Sequence, residues 1–145
     1  MPAKQIEKFG GADKAEPIDL STLDTIKGSN EGAGFDVLHP GNNKKIGTRI
    51  EMFGPDSKVA NEAYNKLSES KMSRLRQGHK DTPESARVDS CNYLAGLTKG
   101  WDILVDNGKN LPFSITAASD IYYRYPWIKE QADAYASKRG NFLAD

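Results

Sequence analysis

The spacing of apolar residues changes period once along this chain, at Gly54-Pro55. Before it, Phe35 and Val37 alternate with Asp36 and Leu38, and Ile46, Thr48, Ile50 and Met52 alternate with Gly47, Arg49 and Glu51. A period of two sets one side of a strand on a core and the other in water. Between the two runs, Pro40-Gly41-Asn42-Asn43 is a turn cluster, so residues 34–53 are expected to form a β-hairpin. Beyond Gly54-Pro55 the spacing becomes helical. Asp56 and Ser57 offer an N-cap, and Val59, Ala60, Ala63, Tyr64 and Leu67 follow at intervals that lead on through Met72 and Leu75, predicting a helix over 57–77.

Thr82-Pro83-Glu84 starts a second helix, with Thr82 as cap, Pro83 at the first helical position and a stripe of Ala86, Val88, Cys91, Leu94, Ala95 and Leu97, over about 83–97. Trp101 to Val105 reads as a short buried segment, and Asp106-Asn107-Gly108 as a tight turn. Ser114 caps a third helix, over 114–124, and Pro126 breaks it and opens a fourth, over 126–138. A proline inside a straight helix costs about 3 kcal/mol. The corner so made is expected to bury Trp127, whose truncation to alanine in a fully buried site costs about 3–5 kcal/mol. The expected fold is therefore α+β and mostly helical: an N-terminal hairpin followed by about four helices.

Residues 1–33 carry no sustained periodicity. They are read as a flexible or loosely docked leader, in which Ile18 to Ile26 form a short extended or helical piece and Gly28 to Gly34 a flexible connector. Residues 34–145 are read as one domain. The first eleven residues hold Lys4, Glu7 and Lys8 without an apolar run, unlike a secretory signal. The longest apolar run, Ile103-Leu104-Val105, is far short of a membrane span. The formal net charge is +0, so no global field draws the chain to nucleic acid or an anionic membrane. The basic stretch Lys71 to Lys80 reads as a solvated helix face or as a nucleic-acid contact, and the absence of interleaved aromatics disfavours the contact.

Chemistry finds little purchase. His39 and His79, the only histidines, have no ligand-type neighbour at metal-binding spacing. The single cysteine, Cys91, lies on an apolar helix stripe without a nearby cation in sequence to activate it; it excludes an intramolecular disulfide and fits a reducing compartment. Gly28-x-x-x-Gly32-x-Gly34 lacks the Lys-Ser/Thr ending of a phosphate loop. Carboxylate pairs such as Asp102 with Asp106 and Glu130 with Asp133 are common in a chain with 20 acidic residues, and they read as solvated. No catalytic constellation, cofactor or metal is expected.

Aromatics, in contrast, crowd the last third. Trp101, Phe113, Tyr125 and Trp127 read as a structural aromatic corner. Tyr122 and Tyr123 are adjacent and face different directions on a helix, so at least one should be exposed. Tyr122, Tyr123 and Tyr135 are accordingly the candidate partner contacts, since tyrosine and tryptophan dominate binding hot spots.

The order and spacing of several segments resemble a known family. These are Gly34-Phe35-Asp36-Val37-Leu38-His39-Pro40, Gly54-Pro55-Asp56-Ser57, Gly100-Trp101-Asp102 and Gly108-Lys109-Asn110-Leu111-Pro112-Phe113-Ser114. The fullest likeness is at Tyr125-Pro126-Trp127-Ile128-Lys129-Glu130-Gln131 and Arg139-Gly140-Asn141-Phe142. Over about residues 34–143 the chain is similar to the small tail assembly chaperones of long-tailed, siphovirus-like bacteriophages. The resemblance implies a non-enzymatic protein that binds the tape measure protein, helps recruit tail tube subunits, works in the host cell cytoplasm and is absent from the mature virion. It also implies a longer frameshifted form in many members. Self-association through an uncovered apolar surface is a further expectation. The alternatives are a structural virion component, such as a minor tail or head–tail joining protein, and a small nucleic-acid binder.

Overall fold

The computed structural model describes residues 15–143. They form an α+β fold of five α-helices, a three-stranded antiparallel sheet and a two-stranded ribbon. Strand β1 (Ala33–Leu38) pairs with β2 (Lys45–Met52), and β2 pairs with β3 (Thr98–Trp101), giving the order β1-β2-β3. His39 shapes the connection between β1 and β2: its Nδ1 accepts from the amides of Gly41 at 2.9 Å and Asn42 at 3.2 Å. Asn43 then takes a left-handed φ of 58°. On β2, Thr48, Ile50 and Met52 face inward and are buried, while Arg49 between them is exposed. The sheet therefore has one dry face, and the helices cover it.

Helix α1 (Thr25–Glu31) precedes the sheet, and α2 (Lys58–Arg76) and α3 (Pro83–Gly96) lie between β2 and β3. Asp24 caps α1 by accepting from the amides of Ile26 and Lys27, and Ser57 caps α2 through the Ala60 amide. Thr82 and Ser85 bond each other's backbone amides in a capping box, with Pro83 opening α3. After β3, the ribbon of β4 (Val105–Asp106) and β5 (Lys109–Asn110) turns at Asn107 and Gly108, with φ of 52° and 74°. Then follow α4 (Ile115–Arg124), capped by Ser114, and α5 (Pro126–Ala136), started by Pro126, with a 3-10 turn at Arg139–Phe142.

Three readings from sequence change. The stretch taken as a short buried segment from Trp101 contains the end of a strand instead: β3 begins at Thr98, and Met52 faces Thr98 across the ladder. Part of the proposed leader is an ordered helix. In α1, Gly28 and Ser29 are buried, where a flexible connector was expected. The reason is a set of contacts from far along the chain. Gly54 N donates to the Ser29 carbonyl at 3.0 Å. Asp56 accepts from Thr25 Oγ1 at 2.7 Å and from Arg139 Nε and Nη2 at 2.8 and 2.9 Å. These bonds, Arg139 first, hold the Asp56 carboxyl below the usual carboxylate range. Finally, Trp127 is half-buried, and its neighbour Ile128 takes the core position.

The core joins Val37, Ile50 and Met52 of the sheet to Leu94, Ile121, Tyr122 and Ile128 of the helices and to Phe142 of the closing 3-10 turn. Across the outer edge of β1, Gln131 of α5 acts as a substitute strand. Its Oε1 accepts from Leu38 N and its Nε2 donates to Leu38 O, both at 2.8 Å.

Gly54 packs directly against enclosed side chains. A Cβ there would meet Ser29 Oγ and stand 2.6 Å from Phe142 Cγ, and both side chains are fully enclosed. Gly54→Ala is expected to destabilise by about 1–3 kcal/mol, an overpacking cost, in urea unfolding. At Gly34 the atoms nearest a Cβ belong to the flexible carboxylate end of Glu51, which can swing aside, so Gly34→Ala should stay within about 0.5 kcal/mol. Equal losses at the two sites would show that Gly54 is not a packing constraint.

Candidate functional site

Helix α2 is long but poorly buried. Of its residues only Ala60 and Ala63, near the N-terminus, reach the core. Further along, Tyr64, Met72 and Leu75 are 61%, 53% and 56% exposed, an apolar row more than half open to solvent. The far end is held by charge instead. Arg74 donates from Nη1 and Nη2 to the two carboxylate oxygens of Asp89 on α3, at 3.2 and 2.6 Å, and from Nη2 to Asp81 at 3.2 Å. Paired donors in a fixed fork give such a contact direction as well as strength.

This arrangement leaves an open cleft of about 570 Å³ between α2, α3 and α4. Leu67 supplies one wall, Val88 and Asn92 a second, and Ile115, Ser119 and Tyr123 a third, with Cys91 among the lining residues. Val88 and Ile115 are 39% and 56% exposed. The polar groups at its rim mostly bind one another. Ser119 Oγ donates to Asn92 Oδ1, and the Tyr123 hydroxyl donates to Glu84. The Arg87 guanidinium lies 4.0 Å from the centre of the Tyr123 ring. The bond to Glu84 and then burial push the Tyr123 hydroxyl above its ordinary value. Burial likewise pushes the Cys91 thiol up, away from the reactive thiolate. The cleft thus presents apolar surface beside two carboxylates held in ion pairs, Asp89 with Arg74 and Asp120 with Arg124.

The three tyrosines proposed as contacts do not share a surface. Tyr123 lines the cleft. Tyr135 is half-buried elsewhere, its ring 5.0 Å from Phe35 and 5.7 Å from Phe142. Tyr122 is 1% exposed and belongs to the core, which removes it as a partner contact. Its hydroxyl pairs with Thr98 Oγ1 at 2.7 Å, and Thr98 Oγ1 also reaches the Leu94 carbonyl at 3.0 Å. Adjacent helix positions do diverge, as expected, but the inward one is Tyr122.

The aromatic corner resolves into two edge-on pairs. Trp101 meets Phe113 at 5.0 Å, and its Nε1 donates to the Leu111 carbonyl at 2.9 Å. Tyr125 meets Trp127 at 6.4 Å. Asp106 ties the second pair to the ribbon. It accepts from Arg124 Nη2 at 2.7 Å and from the Tyr125 hydroxyl, which holds its carboxyl below the usual range. Asp102, read as a solvated carboxylate, is exposed and also accepts from the amides of Arg49 and Ile103, at 2.8 and 2.6 Å. Among the described residues no cluster of histidine, cysteine and acid side chains is placed to hold a metal, and no helix is long and apolar enough to cross a membrane.

Of the cleft residues, Leu67 and Val88 were read from sequence as apolar helix-stripe positions and not as a binding surface, and Ile115 was not singled out. A signal was present: α2 carries more apolar positions than one face can hold. Ala63 and Tyr64 are consecutive, so they cannot both point at the core. Compared with protein-family models, curated proteins and solved structures, the chain matches none of them.

Tyr122 gives this architecture a pH signature. Burial pushes its hydroxyl up to about 12, with the Thr98 bond pulling the other way. An unfolded tyrosine ionises near pH 10. Stability from this group is therefore whole below about pH 10 and is lost as pH rises through about 12, by about 2–3 kcal/mol in all. Tyr122→Phe is expected to cost about 1 kcal/mol near neutral pH and to lack this alkaline loss. Urea unfolding of both proteins across pH 9 to 12 reads it; parallel curves would contradict it.

Proposed function

We propose that this protein is a tail assembly chaperone of a long-tailed bacteriophage. It binds helical segments of a tape measure protein in the cleft between α2, α3 and α4, and it acts by binding rather than by catalysis. The observation that carries the proposal is the apolar surface of the open cleft, where Leu67 of α2, Val88 of α3 and Ile115 of α4 line one groove and Val88 and Ile115 are exposed. An amphipathic helix laid there would complete the helical layer, with anchors at three- and four-residue spacing. Full burial of a leucine- or methionine-sized side chain stabilises by about 1.5–3 kcal/mol, so a few anchors offset the cost of ordering a client segment. The sequence resemblance over residues 34–143 supplies the identity of the client, and with it tail tube recruitment, work in the host cytoplasm and departure before the virion matures.

The site proposed here differs from the tyrosine surface first expected. Only Tyr123 is retained, at the edge of the cleft. Leu67, Val88 and Ile115 take the place of Tyr122 and Tyr135.

Co-expression with the long helical tail protein encoded nearby, followed by pull-down, tests the reading. Val88→Glu and Ile115→Glu change exposed positions and should leave folding intact by circular dichroism. Each is expected to weaken capture of the client by tenfold or more, the effect of losing an anchor worth about 2 kcal/mol. A Lys45→Glu control, on the sheet, should capture normally. Mass spectrometry of purified particles should find the protein missing. Stoichiometric presence in particles would make it a structural virion component, and undiminished capture by both variants would place the client elsewhere.

A further inference from the structure

The segment that enters α1 turns its apolar side chains away from the body. Ile18, Leu20, Leu23 and Ile26 are 65%, 80%, 44% and 62% exposed. Clustered apolar exposure of this kind marks a contact surface. What holds the segment is polar and lies at its C-terminal end. Thr25 Oγ1 donates to Asp56 at 2.7 Å, the Lys58 amide donates to Asn30 at 2.8 Å, and Lys99 Nζ donates to the Glu31 carbonyl at 2.9 Å. Only Gly28 and Ser29 of α1 are buried. The segment is thus pinned beside the start of α2, and its apolar side chains cannot turn into the cleft of their own chain without breaking these bonds.

Charge says what it fits. Residues 15–26 hold Glu16, Asp19 and Asp24 and no cation. The cleft has the opposite balance. Its lining carboxylates, Asp89 and Asp120, are each held by an arginine, whereas Lys66, also in the lining, is exposed and has no ion pair among the described residues. Past Lys66, the chain adds Lys71, Arg76 and Lys80 with Glu69 as the only acid, while Arg74 is engaged by Asp89 and Asp81. An acidic apolar segment and an apolar cleft with a basic flank are complementary in both respects. We propose that segment 18–26 of one copy docks in the α2, α3 and α4 cleft of a second copy, its leucines on Leu67, Val88 and Ile115 and its acids toward Lys66. Segment and cleft are different surfaces, so the contact is heterologous and adds copies head to tail. The inference rests on the reading of the cleft as a binding surface and adds that a client must displace a neighbouring copy.

Sedimentation velocity of the full chain, alone and over a range of concentrations, tests this. Wild type is expected to grow past a dimer as concentration rises, and added salt should weaken the growth. Ile18→Lys with Leu20→Lys disables the segment, and Ile115→Glu disables the cleft. All three positions are exposed, and circular dichroism should show both proteins folded. Each alone should associate at least tenfold more weakly than wild type. Mixed, they should form a one-to-one heterodimer and stop there, because one retains the cleft and the other the segment. A wild type that stays monomeric, a segment variant that associates like wild type, or a mixture without heterodimer overturns the inference. The segment variant keeps its cleft, so it should capture the tape measure client at least as well as wild type. Capture with no heterodimer sinks the self-docking and leaves the client reading; a heterodimer with no capture sinks the client reading alone.

Discussion

Four elements meet around the hydroxyl of Tyr122. The ring comes from α4 and is enclosed; its oxygen finds Thr98 Oγ1 at the start of β3, and the same threonine reaches back to the Leu94 carbonyl near the end of α3. Met52 of β2 lies alongside, its sulfur 3.6 Å from Thr98 Oγ1. A polar group this deep is tolerated only with a partner in place, so the register of β3 against β2 and the rotation of α4 about its axis are fixed together. An isosteric apolar ring would fill the same volume without that directional demand. The alternation of β2, the end of α3 and the start of β3 are thus tied to one residue of the C-terminal third.

From that centre outward, packing becomes looser and charge takes over. The first half of α2 rests on two alanines, which let helices approach closely but bury little area. The second half is fastened by Arg74 to Asp89 and Asp81. Ion pairs of this kind hold direction without covering apolar surface, and that combination leaves the row Tyr64, Met72, Leu75 uncovered. A helix secured at its tip by polar contacts can keep a hydrophobic row available while remaining in place.

The sequence made the helices legible because each carries its own punctuation: Ser57, Thr82-Pro83, Ser114 and Pro126 are local signals for local structure. What escaped was non-local. Helix α1 has no apolar stripe, and it is ordered by Gly54, Asp56 and Arg139, none of them its neighbours in sequence. Strand β3 is short and contains Lys99 and Gly100, so alternation could not announce it; its position comes from pairing with β2. Tyr122 and Tyr123 were recognised as divergent, but only the α3 and β3 partners decide which turns inward. Trp127 seemed the natural filler of a proline corner, yet the first turn of α5 points Ile128 at the sheet. The cleft was least legible, since it is defined by what three helices leave unfilled.

The amide of Gln131 caps the end of the open edge of β1 with two hydrogen bonds to Leu38, a residue 93 positions earlier. During synthesis, β1 and β2 leave the ribosome long before α5 exists. For that interval the edge of β1 is unpaired backbone, the kind of template on which strands of neighbouring nascent chains can add. Each polypeptide must therefore carry its own protection in a segment made long after the strand it covers. Elongation speed through the last third sets how long the exposed edge persists, and crowded polysomes making many copies at once are where that delay matters most.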